Sequence, residues 1–182
     1  MAIPQERKYT IEDIYNLPEG TRAELIDGQI YYMAPPNTTH QRLLMDLSYL
    51  IKDYIKTNKG ICEVFPAPFA VFLNKDDTKY LEPDISVICD PNKLNNKGCI
   101  GAPDWIIEIV SPSNQSYDYI NKLALYKATG VREYWIVNPM TQTVYLYYLE
   151  ENQFQTASYT FQDKIKVNIY DDLTIDFSQI NI

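Results

Sequence analysis

Two acidic residues stand within apolar, strand-like segments of this chain, and their positions indicate chemistry. Asp84 leads into the run Ile85-Ser86-Val87, and Glu108 interrupts the run from Trp105 to Val110. A carboxylate buried in such a strand costs several kcal/mol unless a cation compensates its charge. A lysine, Lys122, follows a short distance along the chain. Two strand acids and one lysine are the minimal set of side chains for metal-assisted hydrolysis.

Glu108 lies in a segment with the pattern of a central strand. Ile106 and Val110 share its face, and the opposite face is apolar as well, so both faces are expected to be covered. Glu108 would then be part of a buried surface. The alternative is that the strand end reaches solvent there, where the carboxylate is solvated or salt-bridged.

Asp84 follows Pro83, a residue that suits the first position of a strand. An acid at this position is often only a turn residue. If the two acid-bearing strands are neighbours, however, Asp84 and Glu108 can lie side by side, and a divalent cation would relieve their repulsion. Carboxylate oxygens favour magnesium or manganese over zinc.

Lys122 lies on a helix predicted from about Tyr117 to Thr129, with Gly130 directly after it. It stands at the border of the apolar stripe, from which a long side chain can reach over the end of the sheet. The alternative is a surface lysine paired with Asp118 one turn away, an interaction worth only about 0.3–0.5 kcal/mol.

The remaining elements indicate an α/β domain with a mixed β-sheet flanked by helices. Helices are predicted at Thr10–Ile14, which has a capping-box pattern, and over an apolar stripe from Thr39 to Ile55. Asp27-Gly28 between two apolar runs predicts a hairpin. Further strands are expected at 63–73, 84–89, 105–110 and 133–137, with a loop at 92–101 and a C-terminal β-meander over 143–169.

The composition limits the protein's class. One domain, residues 1–182, is expected from the length, with 46% apolar and 22% charged residues. No apolar run approaches the roughly 20 residues that span a bilayer. Three cysteines without a CxxC pair favour a reducing compartment, the cytoplasm, and argue against a disulfide framework. The net charge of −8 argues against tight non-specific DNA binding, although bound divalent metal could neutralise a local site.

An ordered series of motifs resembles the Uma2 family, a bacterial family of restriction-endonuclease-like proteins in the PD-(D/E)xK nuclease superfamily. The matching segments run from Glu24-Leu25-Ile26-Asp27-Gly28 to Tyr134-Trp135. Between them come the motifs Glu82-Pro83-Asp84, Gly101-Ala102-Pro103-Asp104-Trp105, Glu108-Ile109-Val110-Ser111-Pro112-Ser113, Lys122, Tyr126 and Gly130-Val131.

This resemblance implies a restriction-endonuclease-like fold in which Asp84 and Glu108 bind Mg²⁺ or Mn²⁺. Most superfamily members place the lysine two residues after the second acid, where this chain has Val110. In the family resembled, the lysine has moved to the following helix, and Lys122 matches it. Glu24 matches an upstream acidic position that could complete the metal site. Its alternative is a solvent-facing hairpin acid.

The resemblance further implies an endonuclease that hydrolyses phosphodiester bonds of nucleic acid, with DNA favoured over RNA. His40, the single histidine, excludes a multi-histidine zinc site and is expected on a helix face or near a cap. The alternative function is a non-catalytic homodimeric binding protein on the same fold. The aromatic, alternating C-terminal segment has more β surface than one helix layer covers, so a homodimer is expected in either case.

Overall fold

The fold is a six-stranded mixed sheet covered on both faces, as the computed structural model describes it for residues 7–74, 77–111 and 121–180. The helices are α1 (Ile11–Tyr15), α2 (Thr38–Thr57) and α3 (Leu123–Thr129). The strands are β1 (Ala23–Ile26), β2 (Gln29–Tyr32), β3 (Glu63–Pro66), β4 (Val71–Phe72), β5 (Ile85–Ile88), β6 (Leu94–Asn95), β7 (Gly98–Ile100), β8 (Trp105–Ile109), β9 (Glu133–Asn138), β10 (Thr143–Tyr148), β11 (Gln155–Thr160), β12 (Lys164–Lys166) and β13 (Thr174–Asp176). The predicted α/β fold with a mixed sheet and flanking helices is therefore confirmed.

The main sheet has the strand order β11-β10-β9-β8-β5-β3. Only β8 and β9 are parallel, and α3 lies in the connection between them, as a parallel crossover requires. On the other side of β8, the neighbouring strand β5 runs antiparallel to β8, with Ile85 opposite Ile107. The start of β5 therefore lies beside the end of β8, which is where Asp84 and Glu108 occur.

Two apolar cores hold this sheet between helices. On one face, α2 packs on β5, β8 and β9 through an apolar stripe at helical spacing. The stripe consists of Leu43, Leu47, Ile51 and Ile55. The two tryptophans of this core, Trp105 and Trp135, meet edge to face with ring centroids 4.9 Å apart. The other face packs against α3 and a small sheet of β4, β7 and β6. No helix within the described ranges is long and apolar enough to cross a membrane.

The predicted N-terminal elements are confirmed. Thr10 and Asp13 form the expected capping box of α1. Asp27 and Gly28 have positive φ angles of 52° and 83° and turn β1 back into β2, as a tight hairpin requires. Backbone hydrogen bonds between Leu25 and Tyr80 then attach the hairpin to the rest of the protein, which brings Glu24 toward the end of the main sheet.

The segment 92–101, predicted as a loop, instead contains β6 and β7. The cause is a long-range pairing that short runs do not reveal: β7 pairs with β4, where Val71 lies opposite Cys99. The backbone at Gly98 passes so close to Ala70 that a side-chain Cβ would lie 2.2 Å from the Ala70 carbonyl oxygen, so only glycine fits there.

Two other boundaries differ from expectation, and a third lies partly outside the described residues. The strand predicted over 63–73 is two strands, β3 and β4, separated around the cis peptide Ala67-Pro68. The meander predicted over 143–169 holds for β10 and β11, but β12 leaves the main sheet and pairs with β13. Of the helix predicted over 117–129, residues 117–120 lie outside the described part of the chain, and Gly130 ends α3 with a φ of 93°.

A disulfide joins Cys62 and Cys89, so the expectation of unpaired cysteines is wrong. The two residues flank strands that pair antiparallel, with Glu63 opposite Ile88, so they face each other at the next position of the ladder. Their sequence separation of 27 residues hides this proximity. The odd cysteine count is accounted for by Cys99, which is free and buried. Cysteine usage therefore no longer supports a reducing compartment.

The disulfide should stabilise the fold measurably. It closes a loop between residues 27 positions apart, for which loop-closure entropy corresponds to about 3.6 kcal/mol. We expect the double substitution Cys62→Ser, Cys89→Ser to lower the free energy of unfolding in urea by about 2–4 kcal/mol. Cys99→Ser is the control, which should leave the effect of reductant unchanged.

A thiol count tests the same bond independently. Unfolded, unreduced protein should react with a thiol reagent at a single cysteine, Cys99, and at all three cysteines after reduction. Three reactive thiols before reduction would show that the bond does not form.

Candidate active site

A cavity of about 370 Å³ lies at the end of the main sheet where β5 begins and β8 ends. Acidic, basic and aromatic side chains from four separate regions of the chain line it. They include all four residues selected from the sequence: Glu24, Asp84, Glu108 and Lys122. The same wall contains Arg22 and His40.

The Lys122 ammonium lies between two buried carboxylates. Its Nζ is 2.8 Å from Glu108 Oε1 and 3.0 Å from Glu24 Oε2. All three residues are buried, each 4% exposed. The surface alternatives for Lys122 and Glu24 are therefore wrong, and Glu108 is buried and salt-bridged. Because every partner is desolvated, each charge depends on the others for compensation.

Local structure explains how Lys122 reaches this position. It directly precedes α3 and has helical backbone angles, φ −67° and ψ −36°. The helix packs on the face of β8 toward which Glu108 points, and its residue Tyr126 donates a hydrogen bond from its hydroxyl to Glu108 Oε1 at 2.8 Å. Lys122 and Tyr126 are four residues apart and thus lie on the same side of the helix.

Tyr126 also belongs to this network, although it was not among the site residues predicted from the sequence. Burial, and then the negative charge of Glu108, raise the pKa of Tyr126 well above its ordinary value. The hydroxyl therefore stays protonated and remains a donor to the carboxylate. Its position one turn from Lys122 was the sequence signal for this role.

Asp84 is held in place from two directions. Its Oδ2 accepts a hydrogen bond from the backbone N–H of Ile109 at 2.8 Å. The same oxygen is 3.1 Å from His40 Nε2. Within the described residues no hydrogen bond is formed by Asp84 Oδ1, although the side chain is only 13% exposed. One carboxylate oxygen is thus fixed by the protein, and the other is available to a ligand.

His40 is a second residue of the site that sequence reasoning did not select. It lies in the first turn of α2, where its backbone N–H donates to the Asn37 side chain, the helix cap. Its ring is 7% exposed, and Nδ1 is buried without a hydrogen-bond partner in the described structure. The only signal in the sequence was a histidine near a helix start, which is also common in surface helices.

The carboxylates that line the cavity are chemically suited to bind a hard divalent cation. Three carboxylates line the cavity against two permanent cations, Arg22 and Lys122, which leaves an excess of negative charge. Carboxylate oxygens are the ligands that magnesium and manganese prefer. As the described side chains stand, no three acids, histidines or cysteines are grouped to hold a metal ion. The Lys122 ammonium lies between Glu24 and Glu108 in this arrangement.

Sequence comparisons identify a family over nearly the full chain and relatives over about two thirds to four fifths of it. The Uma2 family model, described as "Putative restriction endonuclease", matches residues 11–178. The uncharacterized protein slr1290 of Synechocystis sp. strain PCC 6803 is 27% identical over 146 residues, 79% of this chain and 75% of that protein. A second uncharacterized Synechocystis protein, sll1609, is 26% identical over 120 residues, 64% of this chain and 66% of that protein.

A solved structure shares the fold. It is the crystal structure of "a putative nuclease belonging to DUF820" from Anabaena variabilis ATCC 29413. The two superpose with a TM-score of 0.71 at 23% sequence identity, over 88% of this chain and 89% of the other. This similarity supports the arrangement of the sheet and helices, and the chemistry must be argued from the cavity.

Tyr126→Phe tests the buried network through its pH dependence. Removing a hydrogen bond to a charged acceptor should lower the free energy of unfolding by about 1.5–3 kcal/mol at pH 8. The folded pKa of Tyr126 is raised, so its contribution to stability is present below pH 10 and is lost as the pH rises above the unfolded pKa of about 10. Above pH 10 the parent should therefore lose up to about 1.4 kcal/mol more per pH unit than the variant.

Urea unfolding between pH 8 and 11 measures both effects. Tyr32→Phe, at an exposed position of β2, is the matched control and should follow the parent at every pH. Parallel curves for parent and Tyr126→Phe would contradict the buried hydrogen bond.

Proposed function

Because the chain belongs to the Uma2 family, we propose that it is a metal-dependent endonuclease that hydrolyses phosphodiester bonds of nucleic acid. The reaction class is hydrolysis, the proposed cofactor is Mg²⁺ or Mn²⁺, and DNA is favoured over RNA as substrate. The family, described as "Putative restriction endonuclease", and the Anabaena variabilis protein, described as "a putative nuclease", support the class of reaction.

One observation carries this proposal: Asp84, Glu108, Glu24 and Lys122 line a single cavity. The acids come from the hairpin, the start of β5 and the end of β8, and they converge at one edge of the sheet. Titratable groups gathered from distant parts of a chain around a cleft are typical of active sites.

Asp84 and Glu108 would hold the cation, with Glu24 as a further ligand. When bound, it would lower the pKa of a water molecule and neutralise negative charge on the phosphate. The protein's own groups prepare this site. The Ile109 N–H fixes Asp84 Oδ2, and Tyr126 fixes Glu108 Oε1. Lys122 compensates the carboxylates and would orient water or stabilise charge on the phosphate as it develops.

A specific observation favours the alternative, a non-catalytic binding protein. Lys122 is bonded to both Glu24 and Glu108, an arrangement that satisfies the buried charges without a metal. In this alternative the four residues hold the hairpin on the sheet, and the cavity has no chemical role. The two functions make opposite predictions for added metal, because only the first requires Asp84 and Glu108 to bind it.

We also propose that the protein is a homodimer. Met45 and Tyr49 are exposed on α2, and β3 beside this helix is an edge strand of the main sheet. Large apolar side chains next to a free strand edge are typical of surfaces that associate.

Cleavage and metal binding should depend together on Asp84. We expect the parent to cut nucleic acid in Mg²⁺ or Mn²⁺, and Asp84→Asn to reduce the rate by at least about 100-fold because a ligand charge is lost. Mn²⁺ at 100 times its dissociation constant should stabilise the parent by about 2.7 kcal/mol and the variant by much less. Cleavage is measured on single- and double-stranded DNA and RNA, and stability by thermal unfolding.

Glu151→Gln is the matched control, because it removes one exposed acid from the turn between β10 and β11, away from the cavity. It should cleave and bind metal as the parent does. A parent that binds nucleic acid but neither cleaves it nor responds to metal would establish the binding-protein alternative.

The oligomeric state is tested by sedimentation. We expect a dimer at micromolar concentration that dissociates in the double variant Met45→Lys, Tyr49→Lys, because two buried charges would oppose association. A monomeric parent would refute the dimer, and an unchanged dimer in the variant would place the interface elsewhere.

A further inference from the structure

We propose that Arg22 is a phosphate-binding residue of the cavity and contacts a backbone phosphodiester of a nucleic-acid strand next to the bond that is cut. The inference rests on the proposed nuclease function for the identity of the ligand. It assigns the site a substrate contact in addition to the residues that would bind metal and activate water.

Arg22 immediately precedes the hairpin strand that carries Glu24. Its side chain lines the same cavity as Asp84 and Glu108 and is 34% exposed, so its guanidinium is held by the protein and still reaches solvent. Glu82 holds it: Arg22 Nε and NH2 lie 2.8 Å and 2.7 Å from Glu82 Oε2.

The geometry of this pair leaves part of the guanidinium unused. Both contacts of Arg22 converge on one oxygen of Glu82, because the other oxygen accepts a hydrogen bond from the Tyr80 hydroxyl at 2.8 Å. A guanidinium has five N–H bonds in a fixed plane. Within the described structure, Arg22 makes only these contacts with Glu82, so the NH1 edge carries no hydrogen bond. The residue is therefore oriented in advance and can still bind an anion.

Arg22 is also better placed for this role than Lys122. In the metal-free site the Lys122 ammonium is buried and bonded to Glu24 and Glu108, so turning it toward a phosphate before a cation binds would leave two carboxylates without compensation. Arg22 can bind a phosphate without breaking its pair with Glu82. A planar guanidinium matches two phosphate oxygens at once, which favours arginine at such a contact.

The other charged groups of the cavity repel a phosphate on balance, so phosphate binding there depends on Arg22. Its excess of carboxylates opposes an anionic strand, and the chain as a whole carries a net charge of −8. A strand that enters this cavity therefore needs a local cation with free N–H groups. Arg22 meets this need even before a metal ion is bound, so its effect can be measured in chelator.

Binding without metal tests the proposal. Fluorescence anisotropy with a labelled hexathymidylate in chelator compares the parent with Arg22→Gln, Arg22→Lys and Arg42→Gln. Arg42 is exposed on α2 and does not line the cavity. Arg42→Gln is therefore the control for the loss of one positive charge outside the cavity. We expect Arg22→Gln to weaken binding about tenfold or more and to reduce the slope of log affinity against log salt by about 0.7, one phosphate contact on a single strand. Arg22→Lys should retain part of the affinity, and Arg42→Gln should change it less than twofold.

Several outcomes would overturn the proposal. These are an Arg22→Gln variant that binds as the parent does, equal losses in Arg22→Gln and Arg42→Gln, or a parent that does not bind the oligonucleotide. Displacement of the hexathymidylate by inorganic phosphate at concentrations below that of the strand would assign the contact to free phosphate instead. A parent that binds through Arg22 but never cleaves would refute the nuclease function and leave the phosphate contact in place.

Discussion

The buried ion network centred on Lys122 is the interaction on which the rest of the site depends. It joins three parts of the chain that are far apart in sequence: Glu24 is 98 residues from Lys122, and Glu108 is 14 residues from it. A buried pair of this kind is strongly destabilised when one partner is removed, because the other charge is left uncompensated. The network therefore couples the position of the hairpin, the end of β8 and the start of α3. A change at any of the three alters the cavity as well as the fold.

The antiparallel register of β5 and β8 is the second constraint. Because Ile85 lies opposite Ile107, the next position of the ladder sets Asp84 opposite Glu108 at the open end of the strands. Apart from the buried Ser86, the other residues of the two strands are apolar, and both acids lie at the end of the sheet that meets the cavity. Hydrogen bonds then give the two acids different environments: a backbone N–H and His40 fix Asp84, whereas a lysine and a tyrosine fix Glu108. The side chains that line the candidate site are thus also the ones that hold these segments together.

Local patterns in the sequence predicted the elements that depend on local physics. The capping box of α1, the Asp27-Gly28 turn and the apolar stripe of α2 each follow from residues a few positions apart. The acids were recognised because charge inside an apolar strand is rare, and Lys122 because the motif series resembled a family. Features that depend on long-range pairing were missed. The Cys62–Cys89 bond and the strands at 94–100 exist only because distant segments align, and the contacts of His40 become visible only when α2 packs over β5.

The central claim is that Asp84 and Glu108 can share a cation although Lys122 is bonded to Glu108 in the structure described here. The most direct measurement is anomalous diffraction from crystals of the protein soaked in Mn²⁺. We predict a single anomalous peak within coordination distance of carboxylate oxygens of both Asp84 and Glu108, with the Lys122 ammonium displaced from Glu108 or retained on Glu24. Crystals that bind Mn²⁺ elsewhere or not at all, with Lys122 still bridging Glu24 and Glu108, would contradict the claim and leave the network a structural one.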